Sequence, residues 1–169
     1  MQMQLLIVVA LIAFATIACA QELLPNRDVF VRCGAPPGGD GTRYKPYSSI
    51  QEMVEKHDAV WGQVFLYPGV YEENVDIHRG RFWFYPAQQY DVLIRGSVTI
   101  RRPGIYIRGL DFESEGAPIM LAEGATGCQI QQNRIFSVGE NHAGIDVAAP
   151  NCIDCLISDN IIDLRESGG

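Results

Sequence analysis

Arginine is the residue type whose clustering in this sequence most directly suggests chemistry. Residues 79–110 carry six arginines against a single acidic residue, Asp91. A guanidinium group binds a carboxylate through two parallel hydrogen bonds, so a band of arginines is suited to an acidic sugar. The alternative is a solvated face that balances the acidic segments nearby. The arginine band consists of Arg79, Arg81, Arg95, Arg101, Arg102 and Arg108.

Two groups of carboxylates could hold a Ca²⁺ ion. Glu72, Glu73 and Asp76 follow one turn, but Glu72 and Glu73 face opposite ways on a strand, which suits a shared ion poorly. The aspartates Asp154, Asp159 and Asp163 fall near the turns of a single repeat. They form the better candidate calcium site, with solvation as the alternative. The residue pattern indicates no other cofactor.

Side chains that could cleave a polysaccharide are sparse. A lyase needs a base beside a carboxylate cluster, and a hydrolase needs two facing carboxyl groups. Both lysines, Lys45 and Lys56, precede the repeated part of the chain. A lyase would therefore have to use arginine as its base. The sequence identifies no catalytic residue and leaves open whether the chain is an enzyme.

The cysteines are expected to be structural. Once Cys19 leaves with a cleaved leader, the other four allow three full pairings in an oxidising compartment. Cys152 and Cys155 form a C-x-x-C pair, but a zinc site would need further ligands at matching spacing. Cys128 and Cys155 are expected to stack in neighbouring coils, reduced and buried, because parallel Cβ vectors suit a disulfide poorly. Cys152 is expected to be the most exposed of the three.

The first twenty residues read as a signal peptide. Residues 5–20 are almost entirely apolar. This segment is shorter than the about 20 residues that a membrane span needs. The small-x-small pattern Ala18-Cys19-Ala20 then provides a cleavage site. We therefore expect a secreted, periplasmic or cell-surface protein with no membrane segment in the mature chain. An uncleaved anchor and a lipoprotein site at Cys19 are the alternatives.

The rest of the chain consists of short alternating apolar segments that recur at a fixed interval. Val75 and Val98 are separated by 23 residues, and so are Ile105 and Cys128. Strands with one apolar face that recur every 20 to 30 residues predict a parallel β-solenoid. We predict an all-β fold in which residues 64–169 form about four coils of a β-helix and residues 21–63 form an N-terminal cap.

A short helix is predicted within that cap. Ser48 is expected to be its N-cap and Gln51 to complete a capping box. Ile50, Met53 and Val54 form its apolar stripe. Such a helix would cover the open first coil of the solenoid.

Asparagine occupies matching positions in two successive repeats. The segments 128–135 and 155–162 align so that Asn133 falls over Asn160. Stacked amides at a turn can bond to one another and to the turn backbone. We therefore expect a structural amide ladder, with a pair of polar site residues as the alternative.

Residues 40–42, 45–54 and 62–77 resemble the first segments of right-handed parallel β-helix proteins in the pectin-lyase-like superfamily. They read DGT, KPYSSIQEMV and GQVFLYPGVYEENVDI. The resemblance covers about residues 28–163 and implies a right-handed β-helix. The superfamily contains lyases, hydrolases, epimerases and phage tailspikes, so it implies no single activity. Four coils are few for it, which suggests a C-terminal truncation.

The function expected from these features is binding or processing of an extracellular, acidic polysaccharide. One alternative is a non-catalytic surface or structural β-helix module, and another is a lyase or glycosidase whose catalytic coils lie beyond residue 169. A third, metal delivery, would need more soft ligands than Met120 and the cysteines. The net charge of −7 argues against nucleic acid as a partner.

Overall fold

A computed structural model describes residues 28–57, 61–88, 91–139 and 143–165 of the protein. The predicted signal peptide lies outside these residues. The described chain is an all-β parallel β-solenoid of about four turns, with one short helix, α1 (Ile50–Lys56), before the regular coils. No helix in this part of the chain is long and apolar enough to cross a membrane.

Three parallel sheets form the walls of the solenoid, and in the described residues they contain six, five and four strands. Sheet A contains, in spatial order, β1 (Asp28–Val31), β2 (Trp61–Leu66), β5 (Arg81–Pro86), β8 (Tyr106–Arg108), β11 (Gln129–Gln131) and β14 (Leu156–Ser158). Sheet B contains β3 (Gly69–Glu72), β6 (Val92–Arg95), β9 (Asp111–Glu115), β12 (Arg134–Val138) and β15 (Ile161–Arg165). Sheet C contains β4 (Val75–Ile77), β7 (Val98–Ile100), β10 (Ile119–Leu121) and β13 (Ile145–Val147).

The strands of these sheets pair in the register that the repeat interval of the sequence predicts. Val75 pairs with Val98, and Ile107 pairs with Ile130, each in a parallel ladder. Because side chains alternate across a strand, a constant register places one apolar column inside every coil. Ile130 is fully buried in this way. Ile157 continues the same column but is 41% exposed, because it lies in the last described coil.

The helix in the cap begins one residue later than predicted. Ser49, not Ser48, is the N-cap, and its side chain accepts a hydrogen bond of 2.9 Å from the backbone N–H of Glu52. Glu52 therefore takes the position expected for Gln51, and its carboxylate accepts the backbone N–H of Ser48 at 2.9 Å. Gln51 instead accepts a 2.8 Å hydrogen bond from the backbone N–H of Asp76. Both serines satisfy the N-cap rule, and the tertiary contacts of Glu52 and Glu73 select Ser49.

Glu73 joins the helix to the first coil. Its two carboxylate oxygens accept the backbone N–H groups of Ile50 and Gln51 at 2.8 and 2.9 Å. These are two of the N–H groups that a helix cannot satisfy internally. Burial raises the pKa of Glu73, while the two backbone hydrogen bonds oppose that shift. The adjacent acidic pair thus serves the cap through Glu73, whereas Glu72 forms an ion pair with Arg95 on the surface.

The asparagines form a ladder at the turn between sheets A and B. Asn133 Nδ2 donates to Asn160 Oδ1 at 3.0 Å and to the carbonyl of Ile107 at 3.2 Å. Asn133 Oδ1 accepts the backbone N–H of Leu110 at 3.0 Å. Gln132, just before this turn residue, has a φ of 55°. The buried amide therefore satisfies backbone groups that a sharp turn leaves unpaired.

The described cysteines, Cys33, Cys128, Cys152 and Cys155, are all free thiols. Cys128 is fully buried, and its Sγ lies 3.4 Å from the carbonyl of Arg102. Cys155 stacks over it in the next coil but is only half-buried, which corrects the expectation that both would be buried. The reason is its place in the last described coil.

Candidate functional site

The outer face of sheet A carries a concentration of aromatic side chains. On β5 the outward positions are Arg81, Trp83 and Tyr85, because Phe82 and Phe84 point into the core. The register sets Trp61 beside Arg81 and Tyr106 beside Trp83. A strand in a solenoid needs apolar residues on its inner face only, so outward tryptophans are not required by the fold.

These side chains line an open groove of about 740 Å³, called here the sheet A groove. Trp61 is 44% and Trp83 is 42% exposed. Leaving so much aromatic surface in water costs free energy that a ligand could recover. The groove is lined by Trp61, Arg81, Trp83, Tyr85, Gly104, Ile105, Tyr106, Arg108, Gly127 and Gln129.

Hydrogen bonds and ring contacts hold the groove side chains in place. The rings of Tyr85 and Tyr106 meet edge to face, with centroids 5.5 Å apart. The hydroxyl of Tyr106 donates to Gln131 Oε1 at 3.0 Å, and Gln131 Nε2 donates to Ser158 Oγ at 2.9 Å. Partial burial, and then the neighbouring Tyr106, raise the pKa of Tyr85 above its ordinary value.

The aromatic surface continues beyond the groove towards the cap. Phe30 stacks on Phe65 with centroids 5.5 Å apart, and Phe65 lies 6.1 Å from Tyr85. Two cations lie over this row, with Arg43 5.1 Å from the Phe30 centroid and Arg32 4.1 Å from the Tyr67 centroid. Rings packed in this way move little, so the groove side chains rest on a rigid wall.

The structure divides the arginine band instead of assembling it. Arg81 and Arg108 lie in the sheet A groove, where Arg108 is oriented by a 2.8 Å hydrogen bond from its Nε to Gln132 Oε1. The described residues that line the groove include no aspartate or glutamate. The two guanidinium groups therefore face an open surface that has no lining carboxylate to neutralise them.

Three other arginines of the band bond elsewhere. Arg79 donates to the backbone carbonyl of Glu55 at the end of α1. Arg95 bridges Glu72 and Glu113 across sheet B, at 2.8 and 3.4 Å. Arg101 pairs with Asp76 at 3.0 Å, and exposed Arg102 follows it in the turn after β7. Of the predicted binding set, the structure brings Arg81 and Arg108 together in the sheet A groove.

The predicted calcium ligands are not brought together. Asp154 precedes β14 and Asp159 follows it, and both are exposed and have a positive φ. Asp163 lies within β15. Among the residues that the structure describes, no group of three or more His, Cys, Asp and Glu side chains is arranged to hold a metal ion. Both aspartates with positive φ occupy tight turns, a conformation that aspartate tolerates better than most residues.

Sequence reasoning missed the aromatic half of the site, although a signal for it was present. Trp83 and Tyr106 are 23 residues apart, the same interval that relates the core residues. Each alternates with buried residues on its strand, so the register already placed both outside the solenoid. The periodicity that identifies the core therefore also identifies the large outward side chains at the alternate positions.

Comparison of the chain with models of protein families, with curated proteins and with solved structures gives no significant match. The described lining residues offer aromatic faces, two cations and a neutral amide, and they include no Asp, Glu, His or Lys. These groups can bind and orient an anion-bearing ring, and they supply neither a carboxyl pair nor an imidazole for acid–base catalysis.

Proposed function

We propose that this protein is an exported parallel β-helix of the pectin-lyase-like kind that binds an acidic polysaccharide in the sheet A groove. The observation that carries the proposal is the pairing of exposed tryptophans with two guanidinium groups that have no lining carboxylate beside them. Export rests on the leader-like residues 1–20, and the superfamily on the motifs in residues 40–77.

The aromatic side chains suit the faces of sugar rings. The axial C–H groups of a pyranose carry partial positive charge, and the face of an aromatic ring carries partial negative charge. Trp61 and Trp83 each expose more than two fifths of their surface to the groove side of sheet A. An indole in this position contributes both apolar area and ring electrostatics to a stacked sugar.

The arginines suit the carboxylate of a uronic acid. Each guanidinium can form two parallel hydrogen bonds to a carboxylate, a geometry that a hydroxyl group cannot match. Arg81 lies beside Trp61 in the register and two residues before Trp83 on the same strand. A sugar stacked on either indole would therefore hold its carboxylate within reach of this cation.

Binding without cleavage is the activity that the groove residues favour. A glycosidase would need two carboxyl groups at the bound sugar, and a calcium-assisted lyase would need a carboxylate cluster; the described lining residues include neither. Cleavage by this chain is accordingly the second candidate, and a product assay distinguishes the two. Release of unsaturated or reducing ends from alginate or pectate by the purified protein would favour the enzyme.

The test is calorimetric titration of the folded protein with uronic acid oligomers from alginate and pectate. Trp83→Ala should weaken binding about fivefold or more, because a stacked aromatic contributes about 1 kcal/mol or more. Tyr44→Ala is the matched control, since Tyr44 is 94% exposed in the cap loop and does not line the groove. It should leave the affinity unchanged.

Charge is tested separately. Arg81→Gln should lower the affinity for uronic acid oligomers and should make the remaining affinity less sensitive to salt. Arg95→Gln removes an arginine that is paired on sheet B and should have little effect. Equal affinity for a neutral glucan, or tighter binding of a single-stranded oligonucleotide, would overturn the acidic-glycan proposal.

A further inference from the structure

The sheet A groove extends along the solenoid axis, across the strands. One side of the groove is a column of outward side chains from three successive coils. Trp83 pairs with Tyr106, and Tyr106 pairs with Gln129. Neighbouring strands of a sheet lie about 4.8 Å apart, so members of this column repeat at that interval.

The adjacent column, two residues earlier on each strand, changes along the axis. Trp61 and Arg81 occupy it in the first two coils. In the next two coils the corresponding residues are Gly104 and Gly127, which also line the groove. A Cβ at Gly127 would meet no atom within 4 Å, and one at Gly104 would meet only the Cδ of Arg81, at 3.7 Å. The second column therefore ends in an open strip of backbone.

This strip is a surface that a ligand can approach closely. Gly104 and Gly127 have φ angles of 69° and 59°, so the local turn already favours glycine. The same residues keep side chains out of the groove floor, directly beside the column that contains Tyr106. A chain laid on the floor would have backbone beneath it and ring or amide side chains along one side.

Building on the proposed function, we infer that the acidic glycan lies along the solenoid axis, with its chain over Gly104 and Gly127. Its first rings stack against Trp61 and Trp83, and a carboxylate of the chain binds Arg81. An orientation along one strand is disfavoured because the groove is lined from four successive strands, β2, β5, β8 and β11.

The spacing of the coils sets the length of the ligand. Four strands at the usual separation span about 14 Å. The repeat of an extended pyranose chain is close to the strand spacing, so each coil meets about one sugar unit. The sheet A groove should accordingly take about four units of a uronic acid chain, and a single sugar should bind weakly because it contacts one coil.

The experiment is titration of the protein with size-defined uronic acid oligomers of increasing length. The dissociation constant should fall at least about tenfold from the dimer to the tetramer and by less than about twofold from the tetramer to the hexamer. Gly127→Asn places a side chain on the far part of the floor, and asparagine tolerates this positive φ. It should weaken the tetramer to the level of a shorter oligomer and leave the dimer unchanged.

Gly34→Asn is the matched control, because Gly34 has a φ of 75° and open space around its Cα but lies in the cap loop. It should leave every affinity unchanged. If the dimer and tetramer bind equally, or if Gly127→Asn weakens both equally, the axial arrangement is wrong although glycan binding stands. If no oligomer binds at any length, the proposed function itself fails.

Discussion

At the first coil of the solenoid, the cap loop covers the backbone edge of sheet A. In the last described coil, the core side chains of sheets A and B are exposed. The backbone of Phe30 exchanges hydrogen bonds with Gly41 and Tyr47, at 2.8 and 3.0 Å, so the edge of β1 is paired with the cap loop. Ile157 and Ile162, by contrast, are 41% and 46% exposed. Strands of the same pattern thus have different surroundings at the two ends.

The comparison shows that burial in a solenoid is a property of neighbouring coils. Ile130 and Ile157 are the same residue type, on the same sheet, in the same register column. Only Ile130 has a described coil on both sides, and it is fully buried. The stability that a core position contributes should therefore depend on its coil as much as on its side chain.

The largest expected effect comes from placing a charge in that column. Ile130→Asp would bury an unpaired carboxylate between two coils and should cost about 4 kcal/mol or more, or prevent folding. Ile157→Asp leaves its carboxylate in contact with water and should cost about 1 kcal/mol. Urea unfolding followed by far-ultraviolet circular dichroism measures both. Equal losses in the two variants would show that the last described coil is as well covered as the one before it.

The solenoid was predictable because the apolar residues that form its core recur periodically along the sequence. Val75, Val98 and Ile119 recur at intervals of 23 and 21 residues, as stacked coils predict, and the structure confirms their register. Ser49 as N-cap was not distinguishable from Ser48, because two adjacent serines satisfy the same local rule. The choice depends on Glu52 and Glu73, whose contacts are set by the tertiary structure.

The candidate site was only half predictable, for a different reason. Arg81 and Arg108 were included in the arginine band, but their separation from Arg95 depends on which sheet each strand joins. Residue type indicated an anion site, and only the three-sheet cross-section showed which cations share a surface. Ion pairs such as Arg95 with Glu72 form between residues 23 positions apart, so local sequence does not reveal them.

The asparagine ladder allows the inner coil and the last described coil to be compared at a polar position. Asn133→Ala would leave the buried N–H of Leu110 and the carbonyl of Ile107 without their partner, and each such loss costs about 1–3 kcal/mol. Asn160→Ala removes bonds to Asn133 and to the carbonyl of Ile130 at a half-buried position. Water can replace part of these bonds, so a smaller loss is expected in the same unfolding measurement. A larger loss for Asn160→Ala would contradict the dependence on coil position.

At the capped end, the expected effect depends on pH. The hydrogen bond from Lys56, followed by those from Ser48, lowers the pKa of Glu52 from 4.5 to about 2. Because the folded-state value lies below the unfolded one, this carboxylate stabilises the fold above pH 4.5, and the contribution is lost as the pH falls towards about 2. Glu52→Gln should flatten the pH dependence of the unfolding free energy in that window. Glu55→Gln, on the same helix, is the control and should leave the slope in place.

The same difference between coils should appear in the reactivity of two cysteines in one column. Burial raises the pKa of the Cys128 thiol to about 11, whereas Cys155, one coil later, is only half-buried. Alkylation requires the thiolate and access for the reagent, so native Cys128 should react only when a coil opens. At pH 8, Cys155 should be alkylated about a hundredfold faster than Cys128, and both should react at similar rates in denaturant. Peptide mass spectrometry measures the rates. Equal native rates would show that the two coils protect their cysteines equally. A Cys128–Cys155 cross-linked peptide in the non-reduced digest would show that the coils pack more flexibly than their register indicates.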